Sequence, residues 1–512
     1  MSMFDMLYEN MYKNPANRAF WNGKGVSSRL VRIIAPMVFL CLFASVTGHA
    51  GTNHVVLALS PATQTIHIAG DLEVGSIDWV FRDSYAGITG MSTRIRNLTL
   101  TDDSGRTIPL DRVEDGKFRS RLPAQKFTYD LAIAPPSSPQ NDAFISWVHS
   151  NTGLLMLGDL LPIAARGGDS KRFNMDLRIE LPDSWTAFST ERRISPNLFQ
   201  VTDVADAVFA VGNGIRELSS QMTGTKTGVW TFGGWSFTDS DLQGMVNEIL
   251  SMHEKTFESK LTVPVGVILL PFPVEQLPQR WTAETRGGTT ILLTGRQSSR
   301  TSGMAQLGIS LTHELMHLWI PNALKLTGNY DWFYEGFTLY QALRTGMELG
   351  ALTFQDYTNA LAKAFDAYHS ESARDVSALI SLGDSRWAGS EKLLYNKGML
   401  VAFLYDLNLR FESRNKLSLD SAYRSLLFNA GRNAGLDGNQ VVIQALAAPP
   451  SMGEFVRRYI ENPVSIDLGD SIAQFGLIPS RGPVRTRISV SEKLTARQKA
   501  LLKKLGYNMT VR

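Results

Sequence analysis

Within Leu311-Thr312-His313-Glu314-Leu315-Met316-His317, two histidines stand four residues apart with a glutamate directly after the first. On an α-helix that spacing stacks both imidazoles on one face, about one turn apart. Two neutral imidazoles so placed can hold a zinc ion, and Glu314 between them can take a proton from a water activated there. A catalytic zinc has three protein ligands and one open position. Glu335, in Trp332-Phe333-Tyr334-Glu335-Gly336-Phe337, is the candidate for the third. Seventeen residues separate it from His317, enough to end one helix, cross a loop and start a second alongside. The competing reading is a pair of core histidines bonded to backbone carbonyls. A second helix carrying a glutamate at workable spacing weighs against it.

The flanking residues predict the elements this geometry needs. Met304, Leu307, Leu311, Leu315 and Leu318 follow helical spacing, while Ile309, Met316 and Ile320 fall on the histidine side. A helix apolar on both sides is a buried one. Histidines and a glutamate inside it are costly unless something pairs with them. Pro321 cannot continue the helix, and Gly328-Asn329 is turn chemistry. Asp331 is placed to cap a helix through Glu335, Phe337 and Tyr340.

His313-Glu314-Leu315-Met316-His317 followed by Trp332 to Thr338 resembles the gluzincin metallopeptidases, whose third ligand is a glutamate on the next helix. His317-Leu318-Trp319 and Glu335-Gly336-Phe337-Thr338 are most similar to the glycyl aminopeptidase family, with the aminopeptidase N family as near relative. Tyr395-Asn396-Lys397-Gly398 resembles the Tyr-x-Lys-Gly element of both, whose tyrosine stabilises the tetrahedral intermediate. Asp406-Leu407-Asn408-Leu409-Arg410 resembles the stretch downstream of that element in the glycyl aminopeptidases. The resemblance covers roughly residues 225 to 480, and weakly the β-rich part before them. It implies a thermolysin-like catalytic domain and one zinc ion per chain on His313, His317 and Glu335. It further implies Glu314 as base, Tyr395 as oxyanion donor, and a peptide or protein substrate.

Arg286-Gly287-Gly288-Thr289-Thr290-Ile291-Leu292 stands where the related families run a strand along the active site. That marks Gly287, Gly288 and Thr289 as substrate-binding, by pairing with an extended peptide. In those families a glutamate just after the glycines binds the free amino terminus. Here Thr289 and Thr290 occupy that place, and Glu284 precedes the glycines, outside the motif. The departure leaves three readings open: an aminopeptidase-like enzyme, an endopeptidase or other amide hydrolase, and a zinc-stabilised binding protein without turnover.

The rest of the chain sets the frame. Its 512 residues predict two or three domains, multidomain α+β overall. Residues 1–50 read as an export signal or N-terminal anchor: Arg29 and Arg32 precede an apolar run of fourteen residues, Ile33 to Val46, and Gly48-His49-Ala50 offers small residues for cleavage. The run is short for a membrane span, so the expected location is periplasmic or secreted, with weak membrane association if the leader stays. The whole chain carries 51 Lys+Arg and 48 Asp+Glu. The leader holds five and two of these, so the remainder has 46 of each and gives no reason to expect nucleic acid as a partner. The one cysteine, Cys41, lies inside the apolar run, excluding a disulfide framework or cysteine nucleophile downstream. Residues 51–225 read as a β-sandwich-like domain: Val55 to Leu59, Thr65 to Ile68, Arg94 to Leu100, Phe127 to Ile133, Met175 to Leu181 and Phe199 to Val211 are strand-like runs. Its histidines, His54, His67 and His149, are isolated, and His253, with no second histidine four residues on, reads as surface. Residues 226–480 are the expected catalytic domain, with helices over Asp239 to Phe257, from Thr353 to Tyr368, and from Ser390 to Arg410. Residues 481–512 read as a tail with a short basic amphipathic helix, solvated or resting on anionic lipid.

Overall fold

A computed structural model of the chain describes residues 53–166, 175–222, 225–482 and 485–508. The leader, and the export and anchor expectations placed on it, lie outside the described residues. Among the described residues no helix is long and apolar enough to cross a membrane.

The N-terminal part is a sandwich of two sheets. In the larger, Asn53–Ser60 lies between Met175–Glu180 and Thr65–Val80, which pairs in turn with the long strand Lys117–Ala132 and through it with Ile95–Thr101. Period-two alternation sends Val55, Leu57, Leu59, Ile66, Ile68, Phe127, Tyr129 and Leu131 inward. The smaller sheet orders Thr186–Phe188, Val208–Gly212, Thr152–Met156 and Trp147–His149. Its first face, with Val148, Leu155, Phe209 and Val211, completes the sandwich core. Its second face, with Trp147, Leu154, Met156, Val208 and Ala210, packs on a third sheet through Trp230, Ile268, Leu270, Ile291 and Leu293. A sheet covered on both faces shows no alternation. Trp147–His149 and Thr152–Met156 therefore carry no strand signal of the kind that marks their neighbours.

The third sheet has five strands in the order Arg216–Met222, Thr225–Thr231, Val265–Pro271, Thr289–Thr294, Trp281–Arg286. The middle three are parallel, and Trp281–Arg286 closes one edge antiparallel. The first strand of this sheet, Arg216–Met222, lies ahead of residue 226 in the sequence and pairs with Thr225–Thr231. Helix α1, Asp239–Phe257, starts at a capping box of Thr238 and Asp241. Helix α2, Arg300–Met316, is capped by Ser299 and buried along nearly its whole length, as its two-sided apolar pattern requires. Helix α3, Thr338–Glu348, follows a wide π turn over Trp332–Phe337. Helix α4, Phe354–Ser370, has the Thr353 cap in a box with Asp356, and helix α5 spans Glu391–Glu412.

Two capping expectations fail. Asp331 already has helical dihedrals and makes no cap bond, and Ser390 caps nothing, its hydroxyl accepting instead from Ser385 at 2.8 Å. The tail is a third correction. Leu477–Arg481 and Thr486–Val490 form a hairpin, and the helix Ala496–Lys504 comes after it. Ile488, Leu501, Leu502 and Leu505 belong to the main hydrophobic core, together with residues of α1 to α5. Asp366 of α4 accepts from the Thr486 amide at 2.9 Å and hydroxyl at 2.6 Å, and Arg497 lies 3.7 Å over the Phe411 ring. The apolar side chains Leu501 and Leu502 of the terminal helix, and Leu505 just after it, are thus buried against the rest of the chain.

Candidate active site

The last turn of α2 delivers His313, Glu314 and, as its C-terminal cap, His317. The two Nε2 atoms lie 3.2 Å apart, with Glu335 Oε2 at 3.4 Å from His313 and 3.8 Å from His317. One ligand atom from each residue falls within 4.8 Å of the other two, and all three residues are buried. His317 Nδ1 is 2.9 Å from the Ile320 carbonyl oxygen. Only a protonated Nδ1 can donate there, so Nε2 presents a lone pair. Burial, then its histidine neighbour, lowers the His317 pKa to about 4 despite Glu335, keeping the ring neutral at physiological pH. Two imidazoles and a carboxylate converging in a buried pocket form the donor set of a tetrahedral zinc site with one position open. The residues fit that ion.

Glu335 sits within the π turn, and its second oxygen is held by Arg386, whose Nη1 is 3.0 Å from Oε1. Burial pushes the Glu335 carboxyl up. Arg386 and the two imidazoles outweigh it and hold the group well below the usual carboxylate range. Asp331, freed from capping, accepts from the Tyr334 hydroxyl at 2.6 Å and from Arg386 Nη1 at 2.9 Å. Glu314 is driven the other way: burial, then the negative charges of Glu335 and Glu284, push its carboxyl well up. Thr285 on the edge strand donates to Glu314 Oε2 at 2.9 Å and lies 3.0 Å from its carbonyl.

Tyr395 reaches the pocket from α5, where two glycines make this close approach possible. A Cβ on Gly336 would stand 2.5 Å from the Gly398 Cα, and one on Gly398 would stand 2.9 Å from the Trp332 carbonyl oxygen. The π turn and α5 therefore cross backbone to backbone, and Tyr395 lies against Glu335, with which its hydroxyl interacts. Arg386 Nη2 donates to that hydroxyl oxygen at 2.7 Å. Burial raises the Tyr395 pKa well above its ordinary value, with Arg386 pulling against it. Lys397 faces away, donating to the Ser377 carbonyl at 2.7 Å and that of Arg374 at 3.2 Å.

The strand assignment of Gly287, Gly288 and Thr289 is corrected. The glycines form the turn of a hairpin, Gly287 with φ +51, and Thr289 pairs with Gly266 on one side and Arg286 on the other. With both edges taken, the strand of Thr289 cannot accept a peptide. The edge that can is Trp281–Arg286, which carries Thr285 and Glu284. Glu284 is partly buried and receives a hydrogen bond from Tyr85 of the N-terminal domain, with Arg286 Nε at 3.7 Å. Burial raises its carboxyl despite Arg286, and the charges of Arg386 and Glu335 also act on it, placing it within the same field as the histidine cluster. His253 is also corrected: it is fully buried, Nε2 2.9 Å from the Thr312 carbonyl of α2, and stacked on Phe257. Asp406 and Arg410 form an internal brace at 2.8 Å, joined by Tyr340 at 2.7 Å, outside the pocket.

Glu284, Thr285, Tyr85 and Arg386 were not predicted as site residues. Glu284 and Thr285 stand beside the glycines but outside the motif. Arg386 lies in the irregular segment between α4 and α5, where no periodicity or spacing marks it.

No protein-family model matches the chain, and no curated protein matches it by sequence. Solved structures do match its fold. An aminopeptidase N family protein from Idiomarina loihiensis superposes with a TM-score of 0.73 at 15% identity, over 84% of this chain and 79% of that one. An M1 zinc metallopeptidase from Deinococcus radiodurans does so with a TM-score of 0.52 at 15% identity, over 82% and 95%. The mixed α+β architecture, a sheet-rich domain followed by a helical region, is the one these metallopeptidases share with it.

Proposed function

We propose that the chain is a zinc-dependent peptidase acting from the amino end of its substrate. The carrying observation is the buried His313, His317 and Glu335 cluster with the Glu314 carboxylate beside it. Zinc held by those three residues would supply polarisation of a peptide carbonyl and a water acidic enough to react near neutral pH. Glu314 takes the proton of the attacking water at the oxygen not engaged by Thr285, then returns it to the leaving amine. Tyr395 donates a hydrogen bond to the substrate oxygen on which charge develops. The edge strand Trp281–Arg286 aligns an extended peptide, and Glu284 on it is the carboxylate available to a free amino terminus. The Deinococcus radiodurans enzyme has been solved with Tyr-Ser-Ala bound, which supports short peptides as the substrate class here too.

The test pairs metal content with turnover. The chain should bind one zinc per molecule and cleave unblocked peptides. Glu314→Gln should keep the zinc and lose nearly all turnover, whereas unchanged turnover would remove Glu314 as base. We also propose export of the chain, on the strength of Arg29 to Ala50 alone. Recovery of a mature amino terminus near residue 51 outside the cytoplasm is the expected result.

A further inference from the structure

The geometry points to Arg386 as the positioning residue of this site, one guanidinium that selects the Glu335 oxygen facing the histidines and orients the Tyr395 hydroxyl as a donor. This rests on the peptidase reading above for its second half and on the ligand cluster alone for its first.

Three acceptors meet one fork. Nη1 lies 3.0 Å from Glu335 Oε1 and 2.9 Å from Asp331 Oδ2, and Nη2 lies 2.7 Å from the Tyr395 hydroxyl oxygen. The Arg386 side chain is only 11% exposed, so these bonds form where solvent screens them little. A guanidinium can only donate. With Oε1 engaged, Oε2 is the Glu335 oxygen left to face His313 and His317, a one-oxygen ligand. By the same logic the Tyr395 oxygen accepts from Nη2, and its own proton is directed to another acceptor. In this structure that partner is Glu335. With substrate bound it becomes the carbonyl oxygen acquiring charge. A lysine, a point charge on a flexible stem, could not hold both at once.

The segment around Arg386 is itself held in place. Lys397 of α5 clasps the carbonyls of Ser377 and Arg374 upstream. Downstream, Gly389 takes φ +110, a conformation that other residues rarely adopt. Trp387 stacks under the guanidinium at 4.4 Å and packs against Gly87 of the N-terminal domain, where a Cβ would come within 3.2 Å. Residues from both domains thus support the Arg386 side chain.

Zinc affinity by competition with a chromophoric chelator tests the first half without any need for turnover. Arg386→Gln should weaken zinc about 10- to 100-fold, the range for losing a partner of a metal ligand. Unchanged affinity would overturn this half even if no peptide proved to be a substrate. The second half is read at saturating zinc. Arg386→Gln should lower kcat on the order of 100-fold with little change in KM, as for loss of an oxyanion donor. In a Tyr395→Phe background the same change should cost less than about threefold more, because the groups act as a unit. Guanidinium ion in the buffer should restore part of the rate to Arg386→Ala, an effect that a merely structural role would not show. Losses that multiply independently in the double variant, or no rescue, would overturn the link to Tyr395. If the wild-type chain cleaves nothing while Arg386→Gln still loses zinc, the peptidase reading fails and the ligand-positioning half stands.

Discussion

Glu314 and Glu335 share one pocket and are pushed in opposite directions. Arg386 and the imidazoles hold Glu335 ionised, while burial among negative neighbours raises Glu314. Under the proposed function, Glu335 is the ligand of the pair and Glu314 the base. His313, His317, Glu314 and Glu335 were legible because helix geometry makes the four-residue spacing meaningful and the second glutamate comes at workable range. Tyr395 was legible only through the resemblance of its Tyr-x-Lys-Gly element. Glu284 was visible but unassigned, since the role proposed for it depends on a hairpin that puts the strand before the glycines, rather than after them, on the open edge. Glu284→Gln should raise KM for unblocked peptides at least about tenfold, the cost of losing a charge-assisted bond to an ammonium. It should leave zinc content unchanged, and an unaltered KM would remove Glu284 from substrate binding.

At the scale of elements, the site depends on how closely the π turn and α5 cross. Gly336 and Gly398 stand in the motif-like stretches for the same reason: there is no room for a Cβ on either. Gly398→Ala should destabilise the fold by about 1–3 kcal/mol, the usual range for overpacking, and should lower turnover by moving Tyr395 from Glu335. A melting temperature and rate equal to wild type would contradict this. His253 binds the back of α2 as a neutral ring, its pKa lowered to about 4 chiefly by burial. The unfolded chain then takes up the proton first as pH falls. The stabilisation is present above about pH 6.5 and fades between there and about pH 4, by roughly 3 kcal/mol in all. Denaturant titrations of wild type and His253→Gln at pH 7.5 and 5 should show the gap in stability between them narrowing at the lower pH, and a constant gap would contradict the assignment. His253 read as surface because a lone histidine in a helix carries no sign of what packs on it.

At the scale of the whole molecule, three sheets lie in layers, and the middle one serves two cores. The outer sandwich was legible from alternation. The middle sheet was not, because strands buried on both faces lose the pattern that would reveal them. The packing of the terminal helix was hidden for a related reason, since amphipathic residues announce a face but not its partner. Ile268, Leu270, Ile291 and Leu293 of the five-stranded sheet have that middle sheet as their cover. A fragment starting at residue 216 should therefore bind hydrophobic dyes and aggregate, whereas a soluble, cooperatively melting fragment would show that the domains fold apart.

The central claim is that the histidine cluster hydrolyses peptides from a free amino end. The most direct measurement compares hydrolysis of matched free and N-acetylated peptides by the zinc-loaded chain, with Glu314→Gln beside it. Cleavage of the free peptide, lost on acetylation and lost in Glu314→Gln, is the predicted result. Equal cleavage of both peptides would contradict the role given to Glu284, and no cleavage of either by the zinc-loaded chain would contradict the peptidase reading itself.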